Sequence, residues 1–344
     1  MARERRRYFG RGLDVGTSFV RCAEMKGQET VSRSERSAFI DLDQDDFTEG
    51  MLDMAKLEYV KNGDKIQILG NEALEFASIS NKVARRPLRK GMISTSEVEA
   101  IPMIERIIRG VAGEARQAGE PLYFSVPGEP LDAEVNLAYH EKTIQGILRK
   151  LGYHPKPINE GLAVIFSELG DEQYTGIGMS FGGGMVNLCF AFRSIPLLAF
   201  SLARGGDWID QKAALAVDEN ASRVCAIKEA SLNLTKSEAG TEVLNALSIA
   251  YDQFIEYVAQ NVNREVSKMM NIPQTTGRAI PIVLSGGTVA PMGFAERFKK
   301  ALKQLNFPLD LANVKVAKDP FGSVANGALT AAQVEDGRAE EAEG

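Results

Sequence analysis

One unit occurs twice in this 344-residue chain, and it constrains the fold more than any other feature. "GLDVGTSFVRCAEM", starting at Gly12, reads as strand, glycine turn, strand. "GMSFGGGMVNLCFAF", starting at Gly178, reads the same way. Each copy opens a run in which strands alternate with helices, the pattern of an α/β protein. No long repeat is visible by eye. The echo still points to two related lobes, each presenting a glycine turn to a shared cleft. The length suits two domains or one large bilobed unit.

The intervening chain fits that scheme. "YVKNGDKIQILG" carries Asn62-Gly63 between alternating apolar residues, a hairpin signal. "ARRPLRKGMIS" is basic and broken by Pro87 and Gly91, so it reads as a loop. Residues 96–118 show helical periodicity, with Ile101, Ile104, Ile107, Ile108 and Val111 on one face. "LYFSVPG" reads as a buried strand, 136–152 as a helix, "HPKPIN" as extended and "EGLAVIFSELG" as a helix. A third strand, "IPLLAFSLARGG", follows the second glycine unit. Helices fill 207–271. Then come strand "IPIVLSGG", helix "APMGFAERFKKALKQL", strand "VKVAKD" and a last helix from about 321.

Charge and composition remove some function classes. A net charge of -6 argues against bulk electrostatic binding of nucleic acid, so no nucleic-acid partner is expected. Cys22, Cys189 and Cys225 lack metal-ligand spacing and read as buried free thiols. His140 and His154 read as surface or packing residues. The N-terminus "MARERRRYFGRG" lacks the apolar segment of a signal peptide. No stretch approaches the roughly twenty apolar residues of a membrane span. A cytoplasmic protein is expected. The basic residues 1–9 are a solvated tail or a contact for an acidic membrane or an adaptor. "EDGRAEEAEG" reads as an acidic disordered tail.

Three glycine turns carry the chemistry. At Gly16-Thr17-Ser18 the backbone can approach an oxyanion closely, and two hydroxyls add donors. Asp14, at the end of the preceding strand, is placed to hold Mg²⁺ through water. Gly182-Gly183-Gly184 offers similar donors from the other lobe. In "LSGGTVAPMGFAERF" a strand leads through Gly286-Gly287 into a helix, whose N-terminus favours anions. Each turn alone is equally readable as tight strand packing. Three in order, at strand ends, make a stronger joint case.

The order of these segments resembles the actin-like ATPase superfamily, most closely the MreB- and MamK-type bacterial cytoskeletal actins. "GLDVGTS" is similar to its first phosphate motif, "SFGGGMV" to its second and "IVLSGGTVAPMGF" to its adenosine motif. "RPLRKGMIS", "RGGDWID" and "KDPFGSVANGA" resemble further segments, and the likeness spans about residues 10–333. It implies a two-lobed, ribonuclease H-like ATPase fold with a nucleotide cleft between the lobes. It implies a basic tail (1–9), lobe I (10–155, insertion about 35–90), lobe II (156–333, helical insertion about 215–278) and an acidic tail (334–344).

Roles follow from the resemblance residue by residue. Asp14 matches the Mg²⁺-organising carboxylate, and Gly16, Thr17 and Ser18 match the β-phosphate turn. Gly182, Gly183 and Gly184 match the second phosphate turn. Glu160 in "NEGLAVI" matches the catalytic glutamate that positions the attacking water; as a bare residue it is a first-turn Glu favoured by the helix dipole. Lys228 and Glu229 match a nucleoside-contacting pair. Gly286, Gly287 and Thr288 match the adenosine turn, with Met292 packing on the base. The implied cofactors are ATP or ADP with Mg²⁺, and the implied partner is a second copy in a head-to-tail filament.

One position departs from the family pattern. Ser180 stands where a carboxylate is usual, and Met185-Val186 replace two threonines. The backbone cradle survives such changes, but the metal side loses a charge. Asn187 is a neutral polar candidate nearby, and strand alternation leaves its direction open. The expectation is a filament-forming actin-like ATPase with slow or altered hydrolysis. The alternative is a non-polymerising nucleotide-binding scaffold of the same fold, of pilus-assembly or division-anchor type. A sugar kinase lacks a candidate catalytic Asp here, and a chaperone would need a substrate-binding domain after the core.

Overall fold

The computed structural model describes residues 10–79, 84–236, 240–269 and 279–343; the basic segment 1–9 lies outside them. The first sheet grows out of the first glycine turn. β1 (Arg11–Val15) and β2 (Phe19–Lys26) pair antiparallel, and β3 (Glu29–Arg36) extends the meander. The chain then builds a small three-stranded sheet from β4 (Phe39–Asp43), β5 (Tyr59–Asn62) and β6 (Lys65–Leu69). Leu52 of α1 (Asp46–Met54) and Ala73 of α2 (Gly70–Ile79) close its core against Ile40, Ile66 and Ile68. The hairpin expected at Asn62-Gly63 is present one residue later: Asn62 pairs with Lys65, and Gly63, at φ +64°, opens the turn.

The basic segment after residue 84 is not all loop. It holds a short hairpin, β7 (Leu88–Arg89) with β8 (Met92–Ile93). α3 (Ala100–Ala112) follows and stops at Gly113, whose φ of +68° suits a glycine. Met103, Ile104, Ile107, Ile108 and Val111 face the core. Ile101 does not: it sits in the first turn at the margin of the stripe and is 37% exposed. β9 (Glu120–Val126), α4 (Leu137–Lys150) and β10 (Tyr153–Asn159) complete lobe I. β9 runs parallel to β1, and β10 parallel to β9.

Lobe II repeats this plan. α5 (Glu160–Glu168) leads into the meander β11 (Gly176–Phe181), β12 (Val186–Phe192) and β13 (Ile195–Leu202). α6 (Gly206–Ala216), α7 (Ala221–Ser231) and α8 (Glu242–Ser267) follow. β14 (Ile280–Ser285), α9 (Phe294–Gln304), β15 (Leu311–Val316) and α10 (Ser323–Glu343) end the chain. The two sheets have the same strand order, β3-β2-β1-β9-β10 and β13-β12-β11-β14-β15. In both, an antiparallel meander is followed by two parallel crossovers. The weak sequence echo is therefore a structural duplication.

Apolar patterning explains the packing. β11 is buried at every position, as expected of a central strand covered on both faces. Phe181 lies edge-on to Phe254, Phe294 and Phe298 at 5.2–6.2 Å between centroids. Helices α6 and α8 thus share one core with the lobe II sheet. The lobes are joined by an exchange. α5, which follows the last strand of lobe I, packs on β11 and β12; α10, which follows the last strand of lobe II, packs on β1 and β9. The two helices cross each other. A Cβ on Gly327 would overlap the carbonyl of Ala163, so the crossing requires glycine there. The acidic stretch from 334, expected to be disordered, continues α10 to Glu343. Its Ala and Glu residues are strong helix formers, and the helix is already nucleated upstream.

Candidate functional site

Both β-meanders end their first turn at one cleft of about 340 Å³. On the lobe I side the turn closes through Gly16 N–H donating to Phe19 O at 3.0 Å. Thr17 faces away from open solvent, and its Oγ1 accepts from Gly91 N–H at 2.8 Å. This bond ties the 84–94 segment to the turn. On the lobe II side Gly182 N–H donates to Met185 O at 2.9 Å. The carbonyls of Gly182 and Gly183 are held by the first N–H groups of α6, from Gly206 at 3.0 Å and Asp207 at 2.8 Å. Thr288 Oγ1 also donates to Gly182 O, at 2.9 Å. The third turn is thereby fastened to the second.

The first two glycine turns meet. A Cβ on Gly183 would collide with Ser18 Oγ, and one on Gly184 would lie 2.5 Å from Thr17 Oγ1. The triple glycine is a steric requirement of this approach as well as a source of N–H donors. Gly286, at φ +98°, turns β14 sharply past Phe181, and Gly287 and Thr288 begin a short 3₁₀ turn.

A polar floor lies beneath. Asp14 Oδ1 accepts from Ser125 Oγ at 3.0 Å, and Ser125 Oγ accepts from Val15 N–H at 2.9 Å. Glu160 opens α5, whose cap is Asn159 accepting from Leu162 N–H at 3.2 Å. Ser180 and Asn187 are cross-strand neighbours, and both side chains act on the Glu160 carboxyl to favour its ionised form. This settles the direction of Asn187, whose Oδ1 also accepts from Gly128 N–H at 2.9 Å. Burial, reinforced by the Asp14 charge, pushes the Glu160 carboxyl up to about 8 against the opposing influence of Ser180 and Asn187. Burial also raises Asp14, with Arg21 and the Ser125 bond pulling the other way.

The remaining walls are charged. Lys228 Nζ is 2.7 Å from Asp210 Oδ2, and Arg36 Nη2 is 3.4 Å from Glu229 Oε2. Arg86 Nη1 bridges both oxygens of Asp207 at 2.9 and 3.0 Å. The Arg36 and Arg86 pairs cross from lobe I to lobe II. Cys225 also lines the cleft, and burial raises its thiol to about 12, so it is inert at neutral pH. His140 is buried beside Ile93, and desolvation lowers it to about 4. It is a packing residue.

Of the residues named from sequence, Asp14, Gly16, Thr17, Ser18, Glu160, Gly182, Gly183, Lys228, Glu229, Gly286, Gly287 and Thr288 line this one cleft. Two do not. Gly184 is buried in the contact with Thr17 and Lys90. Met292 is 66% exposed, and Ala290 and Pro291 form that wall instead. The strand-like pairing of Met292 with Asn233 draws it outward. Sequence reasoning missed Arg21, Arg36, Arg86, Asp207, Asp210 and Phe321. Only Arg21 had a usable signal, since hairpin register alone places it opposite Asp14.

Asp14 is the floor carboxylate that could hold Mg²⁺ through water beside nucleotide phosphates. Among the described residues no group of three or more His, Cys, Asp or Glu side chains could hold a metal ion. Asp14 and Glu160 are the acids of the floor, and Ser180 brings no charge. Also among the described residues, no helix is long and apolar enough to cross a membrane.

Solved structures share this architecture. A MamK double helical filament matches with TM-score 0.72 and 19% identity, over 94% of this chain and 98% of that one. MreB 5 of Spiroplasma citri bound to AMPPNP matches with TM-score 0.68 and 14% identity, over 98% and 99%. EutJ, the ethanolamine utilization protein from Carboxydothermus hydrogenoformans, matches with TM-score 0.53 and 14% identity, over 93% and 89%. No curated protein matches the sequence. The fold is actin-like, of the two-lobed type seen in MreB and MamK. A family profile, Volactin, covers residues 9–332, and the chain belongs to the Volactin family.

Proposed function

We propose that this chain is an actin-type cytoskeletal protein of the cytoplasm that binds ATP between its lobes and polymerises head to tail, with slow hydrolysis. The observation that carries the proposal is the meeting of Gly183 with Ser18 across the cleft, above Asp14 and Glu160. The turns at 16–18 and 182–183 line the same cleft, and glycine turns of this kind suit a chain of phosphates. Structural neighbours solved with AMPPNP or ADP, and one solved as a filament, support it.

The chain's own residues assign the steps. The turns at 16–18 and 182–183 orient the phosphates, and Gly286, Gly287 and Thr288 hold the nucleoside side. Lys228 and Glu229 border the same side, already engaged by Asp210 and Arg36. Glu160 is the residue to orient the attacking water. Its carboxyl is held largely protonated at neutral pH, so it is a poor proton acceptor there. Slow turnover follows from that environment. A ligand spanning both lobes favours the closed form, and closed subunits stacking through unlike surfaces give an open filament.

Ser180 favours one second reading, a nucleotide-binding scaffold that does not polymerise. Sedimentation of the full chain with ATP, with ADP and without nucleotide, followed by negative-stain microscopy, separates the two. Pelleted filaments with ATP are expected. A chain that binds ATP yet stays monomeric at all concentrations and in both nucleotides refutes polymerisation.

A further inference from the structure

One helix presents an apolar face to open solvent. On α1, Phe47, Met51 and Met54 are 76%, 53% and 87% exposed. They stand four and then three residues apart, so they form one stripe along the helix. Gly50 lies in the same stripe, and nothing is within 4 Å of a Cβ built there. The core of the small sheet is served by Leu52, on the other side of the helix. The stripe is therefore surplus to folding, and a contiguous apolar surface of this kind marks a contact.

The surrounding charge selects the occupant. Residues 41–54 hold six Asp or Glu and no Lys or Arg. Lys61 engages Glu49, whereas Asp43 and Asp46 are exposed and have no ion pair among the described residues. A helix that lies on a membrane carries Lys and Arg on its polar face. This one has the wrong charge for an acidic lipid surface. It fits a basic segment that ends in aromatic residues, and the chain contains one. Residues 1–9, "MARERRRYF", place four arginines immediately before Tyr8 and Phe9.

Segment and stripe attach at opposite ends of lobe I. β1 runs from Arg11 toward the cleft, which Asp14 and Gly16 line, and Gly10 is at the far end against Ala332. β3 ends at Arg36 on the cleft, and from there the chain enters the small sheet that carries α1. To reach its own α1, the segment would run back along β1 and then across the small sheet, on nine residues that span about 30 Å fully extended. Head-to-tail stacking brings the unlike ends of two copies together directly.

We infer that residues 1–9 of one copy dock on the α1 stripe of the next copy, with Tyr8 and Phe9 on Phe47, Met51 and Met54 and the arginines over Asp43 and Asp46. This rests on the filament reading of the chain. Each copy carries the basic segment at one end and the acidic helix at the other, so the contact also fixes the direction of stacking.

The test is sedimentation of the full chain with ATP, read as the critical concentration, with calorimetric ATP titration alongside. Met51→Asp is expected to raise the critical concentration roughly tenfold and leave ATP affinity unchanged. Arg5→Glu/Arg6→Glu/Arg7→Glu is expected to do the same. Adding Asp43→Lys/Asp46→Lys to the arginine variant should return it to within about threefold of wild type, because opposite charges then face each other again. A copy with Tyr8→Cys and a copy with Met51→Cys, mixed with ATP and oxidised with copper phenanthroline, should form a disulfide between the two chains; the native Cys22 and Cys189 are buried. Wild-type filaments with no such cross-link, or variants that polymerise as well as wild type, overturn the inference and leave the filament reading standing. A disulfide within single chains of the Tyr8→Cys/Met51→Cys double variant, below the concentration for filaments, places the segment on its own helix and also overturns it. If wild type binds ATP yet stays monomeric, the filament reading falls and takes the inference with it. Should Met51→Asp misfold by circular dichroism, the arginine variant and the cross-link still decide the matter.

Discussion

Replacing Gly184 by alanine isolates closure of the cleft from stability of the lobes. Gly184 does not occupy the left-handed region, so its own backbone accepts a side chain. The obstacle lies on the other lobe. The new Cβ would stand 2.5 Å from Thr17 Oγ1, 2.7 Å from Gly91 N and 2.9 Å from Lys90 Cα. Thr17 cannot simply rotate away, because its hydroxyl accepts from Gly91 N–H at 2.8 Å. Overpacking of this kind costs about 1–3 kcal/mol. Here the whole cost falls on the closed arrangement, since opening the lobes relieves every contact. If ATP requires the closed form, affinity should drop by roughly 5- to 150-fold. Calorimetric titration with ATP reads this directly. The nucleotide-free melt should stay close to wild type. Gly146→Ala is the control: nothing lies within 4 Å of its Cβ in α4, and it should stabilise by about 0.5–1 kcal/mol. Unchanged affinity for Gly184→Ala would refute the closure argument, and so would an equal loss of stability without nucleotide.

Three further outcomes follow from the geometry. Phosphate release should rise as pH increases from 6 toward 8, by up to ~tenfold per unit, because the Glu160 carboxylate forms only near 8. Glu160→Gln should be slow and flat across that range, and a flat wild-type profile would remove Glu160 from the water-positioning role. The same shift has a stability sign: the folded state keeps a proton the unfolded chain has lost, so stability should fall as pH rises toward 8, less so in Glu160→Gln. Gly327→Ala puts a Cβ 2.5 Å from the carbonyl carbon of Ala163, at the α5–α10 crossing. Urea denaturation should show a loss of about 3 kcal/mol, and a loss below 1 kcal/mol would show that the helices separate without penalty.

Much of this protein is local and therefore legible in the chain. The two glycine hairpins, the alternation of strand and helix and the opening of α5 at Glu160 all follow from spacing and turn chemistry. So does the gathering of Asp14, Gly16, Gly182 and Gly286 at strand ends. What stayed hidden depended on two distant segments meeting. Arg36 and Arg86 carry no local signal and join the site only because lobe II brings Glu229 and Asp207 to them. Asn187 had no readable direction until the β11–β12 register set it beside Ser180. Met292 has the right type for a base contact, but its pairing with Asn233 turns it outward. The duplicated strand order could be suspected from two short echoes. The reciprocal packing of α5 and α10 could not, because it depends on which sheet each helix covers. Sequence alone determined the turns and their chemistry. Tertiary structure decided which charges share the cleft, since pairing across lobes is set by distances in space that spacing along the chain does not carry.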